Sequence, residues 1–466
     1  MERNLTTGSV AKNLIFFSLP YLLSYFLQTL YGMADLFIIG QYEGVASTTA
    51  VSVGSQVMHM LTVMIVGLAM GTTVSIGQAV GAGDKRKTSH FIGNTVTLFM
   101  AVSVTLTIVL LLLVDPIVSV MSTPAQAVSG TAAYLTVCFI GIPFITAYNI
   151  ISSVFRGMGD SKTPMYFIAI ACIVNIALDY LFMGAMHLGP TGAALGTTLS
   201  QAVSVTVALV SIRKKHSITL ERSDLKPSRA EMSKLLSIGV PVAMQDGLIQ
   251  VAFIIITIIA NRRGLNDAAA VGIVEKIMSF LFLVPSSMLS AVSALGAQNI
   301  GANKPERAIR TLHYAIIITV SFGLVVAVST QFVADRIVAL FTDDAKAIRL
   351  GGQYFLGLYL GLHVCGHPLQ LQWLFLRHRQ IGDIVFAQHS CGHARACPGC
   401  ILHLEALSDD AVPHGLGDCW RLTAVRCRVP HSLCNTQTQV GRSGGLEWTE
   451  RSYFPSARCQ SCFTSA

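Results

Sequence analysis

The chain has 466 residues, of which 52% are hydrophobic and only 12% are charged, and its mean hydropathy is +0.60. Soluble globular proteins carry about 25% charged residues, so this composition excludes a disordered chain, a collagen-like repeat and most soluble enzymes of this size. The net charge of +8 fits basic loops beside membrane spans better than a nucleic-acid partner. The sequence therefore predicts an all-α integral membrane protein.

Nine apolar stretches long enough to cross a bilayer precede residue 335, and a tenth starts after Gly351. They lie near residues 14–39, 48–79, 92–114, 131–154, 164–186, 190–212, 236–260, 268–299 and 312–334. The first stretch lacks the small-residue cleavage site of a secretory signal and is too long to be one. The short turns between the stretches leave no space for a sizeable soluble domain.

Basic residues in the loops indicate the orientation. Alternate loops on one side carry 17 Lys and Arg, against five on the other, and seven of the 17 belong to a linker near residues 213–235. The positive-inside rule places that side, with the N-terminus, in the cytoplasm of a multi-pass cell-membrane protein. The linker separates a predicted N-lobe of helices 1–6, residues 1–212, from a partial C-lobe at 236–355 with helices 7–9 and the start of helix 10.

The two lobes share sequence motifs at nearly constant spacing. Residues 77–82 (Gly-Gln-Ala-Val-Gly-Ala) end helix 2, and residues 297–302 (Ala-Gln-Asn-Ile-Gly-Ala) end helix 8. Similar offsets relate Pro20 to Pro241, and residues 50–53 to 270–273. Six helices return the chain to the same side, so this pattern predicts two six-helix lobes related by a pseudo-two-fold axis along the membrane normal. That plan is typical of secondary transporters.

Ionisable residues inside membrane helices are costly and usually functional. Asp35, Asp179 and Thr197 are all expected roughly 6–11 Å below the outer boundary, at 1.5 Å rise per residue. Asn175 precedes Asp179 by one helical turn and shares its face. Two carboxylates, an amide and a hydroxyl at one depth could hold Na⁺ or share a proton. The alternative is that each aspartate is a buried polar partner that fixes helix packing.

Four other residues are ambiguous. Glu275 is either a second cation-binding group or a structural one, and its neighbour Lys276 does not share its face. Asp246 could cap or snorkel near the cytoplasmic half of helix 7. Pro20 removes a backbone hydrogen bond from helix 1, which allows either a static kink or a hinge.

Three segments together resemble the multidrug and toxic compound extrusion (MATE) family, in its bacterial multidrug-export branch. These are Ser18-Leu19-Pro20 through Met33-Ala34-Asp35 to Gly40, the loop at 156–164 (Arg-Gly-Met-Gly-Asp-Ser-Lys-Thr-Pro), and residues 298–302 (Gln-Asn-Ile-Gly-Ala). The resemblance covers about residues 10–355. It implies two six-helix lobes around a central cleft, and exchange of a cationic or amphipathic compound for Na⁺ or H⁺. Small-molecule drugs or metabolites would be the partners in the lipid bilayer, with no cofactor.

The resemblance also assigns roles to individual residues. By position, Asp35, Asn175, Asp179 and Thr197 match the family's cation site in the amino-terminal lobe. Pro20 matches the proline at which the first helix can bend. Glu275 matches a carboxylate in the other lobe.

Residues 356–466 depart from this pattern and hold nine of the 11 Cys and all three Trp. A zinc site is one interpretation, since Cys391, His393, Cys397 and Cys400 cluster, but no second Cys-x-x-Cys lies at finger spacing. A better explanation is a frameshift near Leu356. Residues 357–390 can be encoded by DNA whose next reading frame is apolar and resembles the family's helix 10–11 region.

Drug export is therefore the leading prediction, for a chain expected to be monomeric and to have no enzymatic activity. One alternative is a flippase for lipid-linked precursors, which should line its cleft with several cationic residues. Another is a non-transporting membrane protein with a zinc-binding tail.

Overall fold

The computed structural model describes residues 5–215, 221–263, 265–342 and 344–364. All regular structure in these ranges is helical, which confirms the predicted all-α class. The helices are α1 Val10–Tyr42, α2 Val45–Gly81, α3 Lys85–Leu112, α4 Val114–Val120, α5 Val128–Ile140, α6 Ile142–Gly157, α7 Lys162–Asp179, α8 Gly189–Lys215, α9 Arg229–Arg263, α10 Leu265–Leu281, α11 Leu283–Gly301, α12 Pro305–Val338 and α13 Ala345–Val364. A π-helical turn, Tyr180–Ala185, follows α7.

Within the described ranges, eight helical spans are long and apolar enough to cross a membrane, or nine if α5 and α6 form one span; Ala269–Gly301, which runs through α10 and α11, counts as one of the eight. The predicted fourth span is therefore not straight, because α5 and α6 meet at 48°. Gly141 lies at this break, where the side chain of Thr198 packs directly against it, and Pro143 lacks the N–H that a continuous helix would use. The span therefore bends where its backbone packs against Thr198 of α8.

The tenth predicted helix begins earlier than expected. It starts at Ala345, before Gly351. The carboxylate of Asp344 accepts hydrogen bonds from the backbone N–H groups of Lys346 and Ala347, at 2.8 and 2.9 Å. This N-cap satisfies two of the donors that a helix start leaves free, so hydrophobicity alone places the boundary too late.

The internal repeat is visible in the backbone at two helix ends. At the end of α2, Gly83 N and Asp84 N donate to Val80 O and Ala79 O. At the end of α11, residues 303 and 304 donate to the carbonyls of residues 300 and 299, which is the same pattern at the matching place in the second lobe. Gly83 and Asn303 both have positive φ, 73° and 56°, and glycine and asparagine are the residues that tolerate it best. The predicted parallel repeat is thus confirmed at this pair of turns.

Pro20 and Pro241 lie well inside their helices rather than at the starts. Pro20 belongs to α1, which starts at Val10, and Pro241 belongs to α9, which starts at Arg229. Both helices continue through the proline, so each lacks one backbone hydrogen bond in its interior.

The predicted linker is shorter than residues 213–235, because α8 and α9 extend into it. Its described part packs on α3: Asp224 lies 3.4 Å from Nδ1 of His90, and Ser228 N donates to Asn94 Oδ1 at 2.7 Å. Thr97 also donates to Leu225 O at 2.9 Å. These contacts hold the linker between the lobes against α3 of the first lobe.

Candidate functional site

Four of the predicted site residues converge in the first lobe. Asp35 projects from α1, Asn175 and Asp179 from the last turns of α7, and Thr197 from α8. The side chains of Asp179, Thr197 and Asn175 all lie within interaction range of the Asp35 carboxyl group. Three residues of this set are almost completely enclosed: Asp35 is 5% exposed, Asn175 1% and Asp179 0%. The depth argument from sequence therefore identified residues that meet in space.

Most polar atoms of this cluster have no hydrogen-bond partner among the described residues. Thr197 Oγ1 donates to Asp35 Oδ2 at 3.2 Å. Asp35 Oδ1, both carboxylate oxygens of Asp179, and both amide atoms of Asn175 are buried without a well-aligned hydrogen bond, although Asp179 and Asn175 lie close enough to Asp35 to interact with it. Unpaired buried polar atoms cost about 1–3 kcal/mol each and more when charged, so a cluster of them calls for an explanation such as a bound ion, a proton or water.

The donor set fits a small hard cation or a shared proton. It offers carboxylate, amide and hydroxyl oxygens, which are the ligands that hard cations prefer. Two enclosed carboxylates at this proximity repel when both are ionised, and either a bound cation or a proton between them removes that repulsion. Asp35 and Asp179 interact with each other, so any packing role would be shared between them.

Gly196 makes room for the Asp179 carboxylate, and sequence reasoning missed it. A Cβ at position 196 would overlap Asp179 Oδ1. Gly196 immediately precedes Thr197 on α8. One short segment therefore donates a hydrogen bond to Asp35 and leaves the space that the Asp179 carboxylate occupies. A glycine next to a predicted ligand was the available signal, but many helix glycines in this sequence serve only close packing.

Tyr134 and Cys138 of α5 form part of the wall around Asp35. Both lie within electrostatic range of its carboxyl group, and both are buried. Tyr31 lies one turn before Asp35 and interacts with Gln201 of α8. Sequence reasoning missed these residues because contacts between distant helices leave no local pattern.

Asp179 is also placed at a change of helix geometry. The α-helix α7 ends at Asp179, and the π-helical turn begins at Tyr180. Such π-helical turns occur often at functional sites, where an extra residue per turn redirects a side chain. The apolar pattern of the predicted fifth span gave no indication of this turn.

Glu275 lies apart from this cluster, in the second lobe. Its Oε1 accepts a hydrogen bond from Thr257 of α9 at 2.9 Å, and Tyr354 of α13 is within electrostatic range. The structure thus places Glu275 among other helices and does not bring it together with Asp35. Asp246 lies in mid-helix on α9, with its Oδ2 close to Gly67 of α2. It therefore neither caps the helix nor snorkels to its end.

Lys276 has a histidine neighbour that sequence reasoning overlooked. His59 of α2 lies within electrostatic range of Lys276 of α10, and both side chains are exposed. The two residues come from different lobes.

The predicted alternative of a zinc-binding tail cannot be placed on this structure. Cys391, His393, Cys397 and Cys400 lie outside the described residues, as does most of the region after the predicted frameshift. Within the described ranges, no group of three or more His, Cys, Asp or Glu side chains could hold a metal ion.

The profile of the MatE family matches residues 20–181 and 241–367, more than half of the chain. The chain belongs to this family. The probable multidrug resistance protein YoeA of Bacillus subtilis is 29% identical over 348 residues, covering 73% of this chain and 75% of YoeA. The probable multidrug resistance protein NorM of Thermotoga maritima is 26% identical over 346 residues, covering 73% of this chain and 74% of NorM. The resemblance read from the motifs is thus confirmed, and the chain is a multi-pass membrane transporter.

A relative with a different cargo is also found. The FAD transporter of Shewanella oneidensis is 24% identical over 398 residues, covering 82% of this chain and 86% of that protein. Among solved structures, the outward-facing conformation of a multidrug resistance MATE family transporter of the MOP superfamily superposes with a TM-score of 0.70. It is 22% identical, and the match covers 86% of this chain and 98% of that chain. This agreement confirms the fold.

Proposed function

We propose that the chain is a secondary active exporter that exchanges cationic or amphipathic compounds for Na⁺ or H⁺ by alternating access. The observation that carries this proposal is the enclosed cluster of Asp35, Asp179, Asn175 and Thr197. Its unpartnered oxygens are suited to a cation that comes and goes rather than to permanent packing. Neither Na⁺ nor H⁺ is excluded by the donor set.

Coupling would arise from the charge of this cluster. Two ionised carboxylates in an enclosed site favour any arrangement of α1, α7 and α8 that separates them or admits a cation. Binding Na⁺ or a proton removes that preference, which shifts the balance between two packings of the lobes. Pro20, where α1 lacks a hydrogen bond, is the proposed hinge. Glu275, held by Thr257, is the proposed cation-binding carboxylate of the second lobe.

We also infer where the protein resides and what it requires for transport. The excess of basic residues on one side supports a cytoplasmic N-terminus in the plasma or inner membrane. Small-molecule drugs or metabolites would reach the cleft between the lobes directly or from the surrounding lipid. Transport would be carried out by a monomer, without a cofactor, an enzymatic step or a nucleic-acid partner.

Efflux from membrane vesicles tests this function. We expect vesicles that contain the protein to move ethidium, a fluorescent cation, when either a Na⁺ or a pH gradient is imposed. Collapsing the effective gradient with the matching ionophore should stop transport, because secondary transport has no other energy source. Ethidium movement that persists without any gradient would contradict the proposal.

An anionic cargo is a second candidate, favoured by one observation. His59 and Lys276 are exposed and lie near each other on different lobes. A lysine cation beside an imidazole N–H donor suits phosphate or carboxylate better than a cationic drug. Gradient-driven efflux of FAD without ethidium transport would favour this candidate, and a flippase would in addition require lipid-linked phosphates as cargo.

We also propose that the reading frame shifts near Leu356. The family match ends at residue 367, shortly after that point. Restoring the apolar frame should raise gradient-driven efflux at least about tenfold, because an open lobe would expose polar backbone to lipid at several kcal/mol per group. Sequencing the gene and comparing efflux by the two forms at equal membrane abundance checks this. A second frame that is closed or polar past residue 356 would rule out the shift.

A further inference from the structure

Two pseudo-equivalent glutamines lie where the lobes touch at the ends of α2 and α11. Gln78 belongs to α2, and Gln298 holds the matching place on α11. A Cβ on Gly81 would overlap the carbonyl oxygen of Gln298, and a Cβ on Gly301 would overlap that of Gln78. The glycine of each lobe thus packs on the glutamine backbone of the other. This contact is reciprocal, as the repeat requires.

Each glutamine side chain is also bound from the opposite lobe. Lys234, near the start of α9, donates from Nζ to Gln78 Oε1 at 2.6 Å. Leu5, just before α1, donates its backbone N–H to Gln298 Oε1 at 3.4 Å. Gln298 Nε2 in turn donates to Gly157 O of the first lobe at 2.9 Å. Because α1 and α9 are repeat counterparts, the start of each lobe holds the glutamine of the other.

The segment Leu5–Gly8 is held more firmly still. Lys304 Nζ donates to Thr6 O at 3.1 Å, and Arg307 donates to Thr7 O at 3.1 Å and to Gly8 O at 2.8 Å. Leu5 is only 1% exposed and joins an apolar cluster with residues of α11 and α12. This segment leads directly into α1 of the first lobe. It therefore ties the helix that carries Asp35 to the second lobe.

We propose that Gln78 and Gln298 form a latch that closes the cleft between the lobes at the ends of α2 and α11. The latch includes the hydrogen bonds of Arg307 to Leu5–Gly8, here called the clasp. The latch must release whenever the cleft opens toward the cytoplasm. The contacts named above are hydrogen bonds and close backbone approaches. The latch can therefore stabilise the arrangement in which the two lobes touch here and can still release. Its role in transport rests on the proposed function, whereas the closure itself does not.

A single gate differs from two independent local contacts in one measurable way, because the two halves of a gate loosen together. If Gln78 and Gln298 close one gate, then weakening either one should loosen both. Gln78→Ala removes the acceptor of Lys234 and leaves every bond to Leu5–Gly8 intact. We therefore expect amide hydrogen exchange in Leu5–Gly8 to quicken in Gln78→Ala by about tenfold, the effect of losing one hydrogen bond to a charged group.

Hydrogen exchange with mass spectrometry on the full chain in detergent or nanodiscs measures this effect. Gln298→Ala should reciprocally quicken exchange at the end of α2. Gln56→Ala is the matched control, since Gln56 lies on the same helix about 33 Å from Gln78 and should leave both segments unchanged. Exchange that quickens only around the substituted glutamine would overturn the latch. A wild-type protein that fails to transport would instead count against the proposed function and leave the exchange result to stand.

Discussion

Asp35→Asn should abolish cation-coupled efflux while the protein still inserts into the membrane. The substitution keeps the shape of the side chain and removes one of the two charges in the cluster. Loss of one partner from a buried charged site costs about 3–5 kcal/mol, so cation affinity should fall by at least about 100-fold. Gradient-driven ethidium efflux measures the transport effect. Binding of ²²Na⁺ to the purified chain, and its displacement by acid, measures the site itself.

The matched control is Asp115→Asn, which makes the same change at an exposed position on α4. It should bind cation and transport as the wild type does, because its carboxylate is solvated and far in sequence from the cluster. Wild-type efflux by Asp35→Asn, at equal abundance in the membrane, would be incompatible with the assigned role. Binding that is lost in both variants would indicate a general effect of surface charge instead.

Much of this architecture could be predicted because a membrane enforces it. The bilayer requires long apolar helices, and only a few charged residues survive inside them. Asp35 and Asp179 therefore stood out without any structural knowledge, and counting residues from the helix ends placed them at one depth. The motifs at 77–82 and 297–302 identified the repeat, which the structure shows as matching backbone turns.

Other parts depend on contacts between distant segments, which leave little local trace. The bend at Gly141 follows from close packing on Thr198, which belongs to another helix, α8. The clasp on Leu5–Gly8 joins Arg307 to residues about 300 positions earlier through backbone carbonyls, and carbonyls carry no sequence signal. Tyr134 of α5 lies within electrostatic range of Asp35 of α1. A pattern of hydrophobicity has no information about any of these three contacts.

The clasp and the proposed cation site are joined by a single element, α1. The helix enters from Leu5–Gly8, passes through Pro20, and presents Asp35 to α7 and α8. A change of charge at Asp35 would therefore act on α1. The second lobe holds the N-terminal end of this helix through the bonds of Arg307 to Leu5–Gly8. In the proposed mechanism, this continuity would connect cation binding to opening, because a helix that lacks one hydrogen bond can bend at that point.

Gly196→Ala should disable the cation site without removing any of its ligands. The added methyl group would occupy the space of Asp179 Oδ1, so the carboxylate must turn away from Asp35 or α8 must shift. Overpacking of this kind costs about 1–3 kcal/mol. Since only the ligand-bearing geometry is disturbed, we expect cation affinity to fall at least about tenfold, with a parallel loss of efflux. Binding of ²²Na⁺ and ethidium efflux measure both effects.

Gly32→Ala supplies the comparison that makes this result specific. Gly32 lies on α1, one turn before Asp35, and a Cβ there meets nothing within 4 Å. Both substitutions replace glycine by alanine within a helix, which by itself favours the helix by about 1 kcal/mol. Only Gly196→Ala should weaken cation binding, while Gly32→Ala should keep it or raise stability slightly. Equal affinity in the two variants would mean that Asp179 is free to move, and that the space left by Gly196 does not set the geometry of the site.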